Sequence, residues 1–205
     1  MPYLDAYRRS IDYLRISVTD RCNLRCIYCM PEEGVPSCTH DEILRYKEIM
    51  VIAQAAAELG IHKVRLTGGE PLARLGLVDL VRMLAAIPDI DDLSMTTNGI
   101  LLPRHARELA QAGLQRVNIS LDTLRPERFQ AITRCGRLSD ALAGITAAHQ
   151  AGLEPVKINT VVIRGLNDDE VVDLARKTVQ DGWHVRFIEW MPIGSSLPDL
   201  EEWQD

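Results

Sequence analysis

Glu58-Leu59-Gly60-Ile61-His62-Lys63-Val64-Arg65-Leu66-Thr67-Gly68-Gly69-Glu70-Pro71 carries the pattern on which the fold turns. A helix closes on glycine, an apolar strand follows within a few residues, and the strand runs into a polar, glycine-rich loop. Glycine just past a helix takes the left-handed conformation without a Cβ penalty. The pattern returns three times. Gln111-Ala112-Gly113 precedes a strand at 116–120, Gln150-Ala151-Gly152 one at 156–159, and Gln180-Asp181-Gly182 one at 184–188. Residues 13–18 open the series and residues 93–97 fill its third place.

Amphipathic helices lie between the strands. Residues 47–59 put Ile49, Ile52, Ala53, Ala56 and Leu59 at helical spacing. Pro103, and Asn167 or Asp168 before Val171-Val172, read as helix starts. Strands alternating with helices imply parallel pairing through right-handed crossovers. The expectation is an α/β chain folded as a partial (β/α)6 barrel of the TIM type. A flat doubly wound sheet fits the same pattern. Either architecture puts the chemistry at the C-terminal ends of the strands. Those ends read Thr19-Asp20-Arg21-Cys22, Thr67-Gly68-Gly69-Glu70-Pro71, Thr96-Thr97-Asn98-Gly99, Ser120-Leu121-Asp122 and Glu189-Trp190-Met191-Pro192.

The 205 residues are 46% hydrophobic, enough for one sizeable core, so residues 1–194 read as one domain followed by an acidic tail at 195–205. The formal net charge of −6 excludes a basic nucleic-acid footprint. No apolar run is long enough for a membrane span, and residues 1–10 hold no apolar leader core, so a cytoplasmic location is expected. Three of the five cysteines fall within eight residues, which in a reducing compartment points to metal binding or catalysis rather than a disulfide framework.

Those three form Cys22-x-x-x-Cys26-x-x-Cys29. Three thiolates on a cubane [4Fe-4S] cluster leave one iron open to chelate the amino and carboxylate groups of S-adenosylmethionine (SAM). A structural zinc site is the competing reading, with Cys38 or His40 as fourth ligand, and an internal disulfide is a third. Tyr28, between two of the cysteines, could lie on an adenine or pack the loop onto the barrel. Gly68-Gly69 admits a close backbone approach, and Glu70 offers an acceptor for an ammonium group, although an ordinary loop reads the same way. Arg15, Arg65 and Lys157 sit inside strand patterns. They either converge in the barrel on an anionic, phosphorylated substrate or face outward to helix carboxylates. Arg186 and Glu189 could form a structural pair. The histidines share no metal spacing, and Asp168-Asp169-Glu170 reads as a helix start.

Residues 14–31, Val64-Arg65-Leu66-Thr67-Gly68-Gly69-Glu70-Pro71, Thr96-Thr97-Asn98-Gly99, Asn118-Ile119-Ser120-Leu121-Asp122, Arg164-Gly165-Leu166-Asn167-Asp168 and Arg186-Phe187-Ile188-Glu189-Trp190-Met191-Pro192-Ile193-Gly194 together resemble one family. It is the GTP 3′,8-cyclases, also called molybdenum cofactor biosynthesis protein A, within the radical SAM superfamily. The likeness runs over residues 12–194. It implies a radical SAM barrel and a lyase that converts GTP to (8S)-3′,8-cyclo-7,8-dihydroguanosine 5′-triphosphate on the way to molybdopterin. By resemblance Cys22, Cys26 and Cys29 hold the [4Fe-4S] cluster. Tyr28, Gly69, Ser120 and Met191 match SAM contacts, and Arg15, Arg65, Thr96 and Lys157 match GTP contacts. No other residue is assigned to catalysis beyond the cluster-bound SAM. The resemblance also implies a reductase or flavodoxin-type electron donor, a downstream molybdopterin-precursor synthase and a possible homodimer. The family carries a second [4Fe-4S] cluster on three C-terminal cysteines, and this sequence has no such triplet. A fragment or naturally short form is therefore expected, and another radical SAM enzyme or a non-catalytic metal-binding domain stands as the alternative.

Overall fold

A computed structural model describes residues 4–36, 38–39 and 41–191. His40, one of the candidate zinc ligands, lies outside the described residues, as does the stretch 192–205 with the acidic tail.

The six expected strands are present: β1 (Tyr13–Ser17), β2 (Lys63–Thr67), β3 (Asp92–Thr97), β4 (Arg116–Ser120), β5 (Lys157–Val162) and β6 (His184–Glu189). The helices are α1 (Tyr46–Glu58), α2 (Leu77–Ala85), α3 (Leu102–Gln111), α4 (Pro126–Thr133), α5 (Leu138–Gln150) and α6 (Val171–Gln180). All strands are parallel, in the order β1-β2-β3-β4-β5-β6. That order decides between the two architectures. A doubly wound sheet reverses its strand order at a switch point. Strictly sequential order with right-handed crossovers puts every helix on one face and curls the sheet toward a barrel.

Successive side chains on a strand point to opposite faces. One face presents Ile16, Val64, Leu66, Leu93, Met95, Val117, Ile119 and Ile158, all buried under the helices. α2 supplies Leu77, Leu80, Val81 and Leu84 to this core, and α3 supplies Leu102, Ala106 and Leu109. The opposite face is polar. Arg15, Arg65, Ser94 and Arg116 align across β1 to β4, and Thr96, Asn118 and Lys157 align across β3 to β5.

Several local readings differ. The buried stripe of α1 is Ile49, Ala53 and Ala57, while Ile52 and Leu59 are exposed. α1 packs on α2 at the β1 end of the sheet, where a narrow stripe suffices. Two helices, α4 and α5, follow β4 instead of one. β5 extends to Val162 because Thr160, Val161 and Val162 pair with β6. Asn167 makes no helix cap. Its side chain accepts from Ile163 N–H and donates to the carbonyls of Asp122 and Val161, and a 3-10 turn at Asp168–Glu170 leads into α6. No helix among the described residues is long and apolar enough to cross a membrane.

Candidate active site

The cysteine loop leaves the C-terminal end of β1 and is stitched to the end of α4. Arg25 N–H donates to Thr133 O (3.1 Å) and Ile27 N–H to Ile132 O (2.9 Å), filling carbonyls that a helix end leaves free. A single turn carries the second and third cysteines, with Cys29 N–H and Met30 N–H both donating to Cys26 O (2.9 and 3.1 Å). Arg134, at φ +62°, closes the loop from below by donating to Arg25 O and Met30 O (3.0 and 2.9 Å).

All three thiols are free, and burial pushes each above its ordinary value. Cys26 shifts furthest, because Asp122 and the other two thiols add to its burial. The sulfurs therefore hold their protons until a metal displaces them. A single zinc ion needs its donors around one point. Among the described residues no three His, Cys, Asp or Glu side chains converge in that way. A cubane instead takes each thiolate on a separate iron. Free thiols on one loop fit it, and Cys38 is exposed, its backbone N–H donating to Asp20 Oδ2 (2.6 Å) at the entry to the same loop.

Gly68-Gly69 lies against the base of this loop. Gly69 N–H donates to Thr19 O (2.7 Å) and Glu70 N–H to Arg21 O (2.8 Å). A Cβ on Gly69 would sit 2.4 Å from Arg21 O, and one on Gly68, at φ +152°, 2.5 Å from Thr19 O. What comes close to these glycines is the chain's own backbone entering Cys22. The expectation for Glu70 is corrected too. It is fully buried, and its carboxylate accepts from Leu72 N–H (3.1 Å), Thr97 Oγ1 (2.7 Å) and Asn98 N–H (2.7 Å), so it staples the β2 and β3 rims instead of facing a ligand.

Tyr28 packs with Ile27 against Ile132, Ile163 and Leu166, and its hydroxyl donates to Asp122 Oδ2 (2.6 Å). Burial pushes the Asp122 carboxyl up to about 6, against the opposing effect of the bonds from Tyr28 and Val161 N–H. Ser120 ends β4, half-buried, and Met191 is exposed just past β6. Tyr28, Gly69, Ser120 and Met191 thus belong to the C-terminal rim, as the strand-end reading expects.

The polar sheet face collects cations. Arg15 and Arg65 are register partners, and Arg116, Lys157 and Arg186 stand on the same face. Arg65 is held below its usual value by burial and by Arg186, Arg116 and Arg15; Lys157 is lowered by burial and by Arg116, Arg186 and Arg65. The cations therefore stand close enough on this face to disfavour one another's charge. Among the described residues only Arg116 of the five has an ion pair, with Asp92 at 2.6 Å. Arg15, Arg65 and Lys157 stand on the sheet face opposite the helices, so among the described residues helix carboxylates are not their partners. Nor does Arg186 pair with Glu189, three residues along the strand and on the other face; it donates to Asn118 Oδ1 (2.8 Å). Thr96 lies between β2 and Asn118, whose amide reaches it at 3.5 Å. Sequence reasoning missed Arg116 and gave Arg186 a structural role. Part of the signal was there, since each is a charged residue within a strand pattern like Arg65 and Lys157; that their faces coincide is a matter of register.

The model of the radical SAM superfamily matches residues 16–178 of the chain. The chain belongs to the radical SAM superfamily. Among curated proteins it is 62% identical over 192 residues to the GTP 3′,8-cyclase of Pelotomaculum thermopropionicum, covering 94% of this chain and 59% of that protein. It is 58% identical over 193 residues to the GTP 3′,8-cyclase of Petrotoga mobilis, covering 94% and 60%. The chain thus spans about three-fifths of the length of these relatives. Among solved structures, methylornithine synthase (PylB) superposes with a TM-score of 0.70 at 18% identity, over 88% of this chain and 53% of that one, which supports the shared fold. Membership in the radical SAM superfamily implies SAM and an iron–sulfur cluster, and the loop described above has the donors to hold one.

Proposed function

We propose that this chain is the radical SAM barrel of a GTP 3′,8-cyclase, a lyase that forms (8S)-3′,8-cyclo-7,8-dihydroguanosine 5′-triphosphate from GTP in molybdenum cofactor biosynthesis. The observation that carries the reading is the cysteine loop standing on the rim of a sheet face with five cations, four of them without ion pairs among the described residues. A triphosphate is the ligand such a face suits, because each phosphate answers cations that otherwise repel one another.

Cys22, Cys26 and Cys29 hold the [4Fe-4S] cluster. Bound there, the cluster and SAM would supply one-electron chemistry directed at C3′ of the GTP ribose. Tyr28, Gly69, Ser120 and Met191 line the SAM position. Arg15, Arg65 and Lys157, joined by Arg186, anchor the triphosphate, and Thr96 accompanies them from β3. Closing C3′ onto C8 of the base needs ribose and guanine held in one orientation, and a fixed triphosphate supplies the restraint. A reductase or flavodoxin-type protein delivers the electron, and a molybdopterin-precursor synthase consumes the product. A reducing cytoplasm suits the free thiols. The 205 residues given contain no cysteine after Cys135, and a homodimer enters the proposal through the family resemblance.

The deciding experiment is anaerobic cluster loading followed by SAM, dithionite and GTP, with 5′-deoxyadenosine and guanosine products quantified. GTP should bind and should accelerate SAM cleavage. A loaded protein that cleaves SAM at a rate indifferent to GTP, or does not cleave it, would overturn the reading.

A further inference from the structure

We propose that Asp122 is a positioning residue of the cysteine loop, acting through the Tyr28 hydroxyl to fix the segment between the second and third sulfur ligands. The inference deepens the proposed cluster site and rests on it.

Asp122 lies two residues beyond the end of β4 and is only 6% exposed. Three strands of evidence converge on its rigidity. Its Oδ1 accepts from Val161 N–H of β5 (2.8 Å). Its carbonyl accepts from Asn167 Nδ2 (2.8 Å), and the same amide group donates to Val161 O (2.8 Å). Asn167 is itself held by Ile163 N–H (2.7 Å). The carboxylate is thus built into the joint between β4, β5 and the turn before α6. Among the described residues it has no cation partner, and a buried carboxylate without one costs stability that an apolar residue of similar size would not. Such an arrangement points to a task other than folding.

The task is visible in what the free oxygen holds. Tyr28 Oη donates to Asp122 Oδ2 at 2.6 Å, a short bond across 94 residues of chain. Other ties hold the first part of the loop, Asn98 Nδ2 at the end of β3 donating to Asn23 Oδ1 (2.7 Å), or reach Arg25, Ile27 and Met30 through backbone groups and lead to α4 and Arg134. Tyr28 ties the segment between Cys26 and Cys29 to the strand layer by a side chain. A cubane demands one fixed set of sulfur separations. A loop already held at that spacing loses less freedom when the cluster binds, and so holds it longer.

The test uses the cluster-loaded protein and two readouts, the rate of iron release to a ferrous chelator and the SAM dissociation constant by equilibrium dialysis. Tyr28→Phe removes one oxygen, Asp122→Asn keeps the size while losing one acceptor, and the double variant removes both ends. Ile145→Val is the control, because it trims the core away from the loop and lowers stability by about 1 kcal/mol. Each single variant should release iron about tenfold faster than the parent, the size expected for one lost charge-assisted bond. The double should be no faster than the singles, because both break the same tie. The control should release iron at the parent rate. Single variants within twofold of the parent would sink the inference. So would a double whose effect is the product of the singles, or a control as fast as the variants. If Asp122→Asn fails to fold, Tyr28→Phe against the control decides alone. A parent that loads no cluster overturns the underlying site as well, whereas a loaded parent with unaffected variants overturns only the role of Asp122.

Discussion

Glu70 follows the glycine pair at a place where its carboxylate could have met a ligand, yet both of its oxygens serve the protein. Replacing it with alanine leaves Leu72 N–H, Thr97 Oγ1 and Asn98 N–H without their buried partner. Glu70→Ala should therefore lower unfolding free energy by about 3 kcal/mol, read as a shift of the denaturant midpoint at constant slope. Burial also raises the Glu70 carboxyl above its ordinary value. The native state then keeps a proton that the unfolded chain has released, so the contribution of Glu70 falls as pH rises from the unfolded carboxyl value through the folded one. Glu70→Gln should remove that slope, which parallel denaturation series at acid and neutral pH would show. The glycine before it has a different vulnerability. Gly69→Ala drives a Cβ into the carbonyl of Arg21 and should cost about 2 kcal/mol while loosening SAM binding, measured by dialysis on the loaded protein. The sequence showed a strand ending in Gly-Gly-Glu. It could not show that Thr97 and Asn98, from the next strand's rim, would occupy the glutamate, because that contact is non-local.

At the level of elements the polar sheet face is the feature with consequences. Period-two alternation placed Arg15, Arg65 and Lys157 on a single face of their strands, but only register decides whether those faces coincide. The parallel ladder aligns Arg15 with Arg65 and Asn118 with Lys157, and brings Arg116 and Arg186 into the same field. A lysine in such company loses its proton earlier than an isolated one, since burial and neighbouring cations both disfavour its charge. Affinity for an inorganic triphosphate probe should accordingly decline as the solution becomes alkaline, beginning below the usual lysine range. Lys157→Arg keeps the charge at all these pH values and should abolish the decline, whereas Lys157→Met should weaken binding about tenfold at neutral pH without a further fall. Calorimetric titration across pH reads all three. A parent affinity that is flat with pH would mean that Lys157 does not face the anion. The helix layer was legible with less detail. α4 escaped because its short stretch, from Pro126 to Thr133, has no closing glycine of the kind that follows α1, α3, α5 and α6.

The molecule as a whole separates stability from chemistry. Its main core is formed by the apolar sheet face and the helices laid on it, whereas the cysteine loop leans on a small second cluster around Ile132, Ile163 and Leu166. Parallel pairing follows from the repeated helix–glycine–strand unit, whereas the sequential order that separates a barrel-like sheet from a doubly wound one rests on which strands pair. Which face would carry charge, and what would hold the loop, depended on contacts between units that no single unit encodes. This division makes a prediction about the apoprotein. Cys22, Cys26 and Cys29 are half-buried or exposed and none belongs to the main core, so replacing all three with alanine should leave the helices and strands intact. At roughly 0.3 kcal/mol for each substitution outside the core, the melting temperature should move by about 3 °C at most relative to the metal-free parent. Cluster loading should raise the parent's melting temperature and leave the triple variant's unchanged, because a ligand that binds only the native state stabilises only the chain that can hold it. Far-UV circular dichroism and scanning calorimetry, with iron content measured on the same samples, make the comparison. Loss of the helical signal in the triple variant would show that the loop, and not the sheet with its helices, organises the barrel.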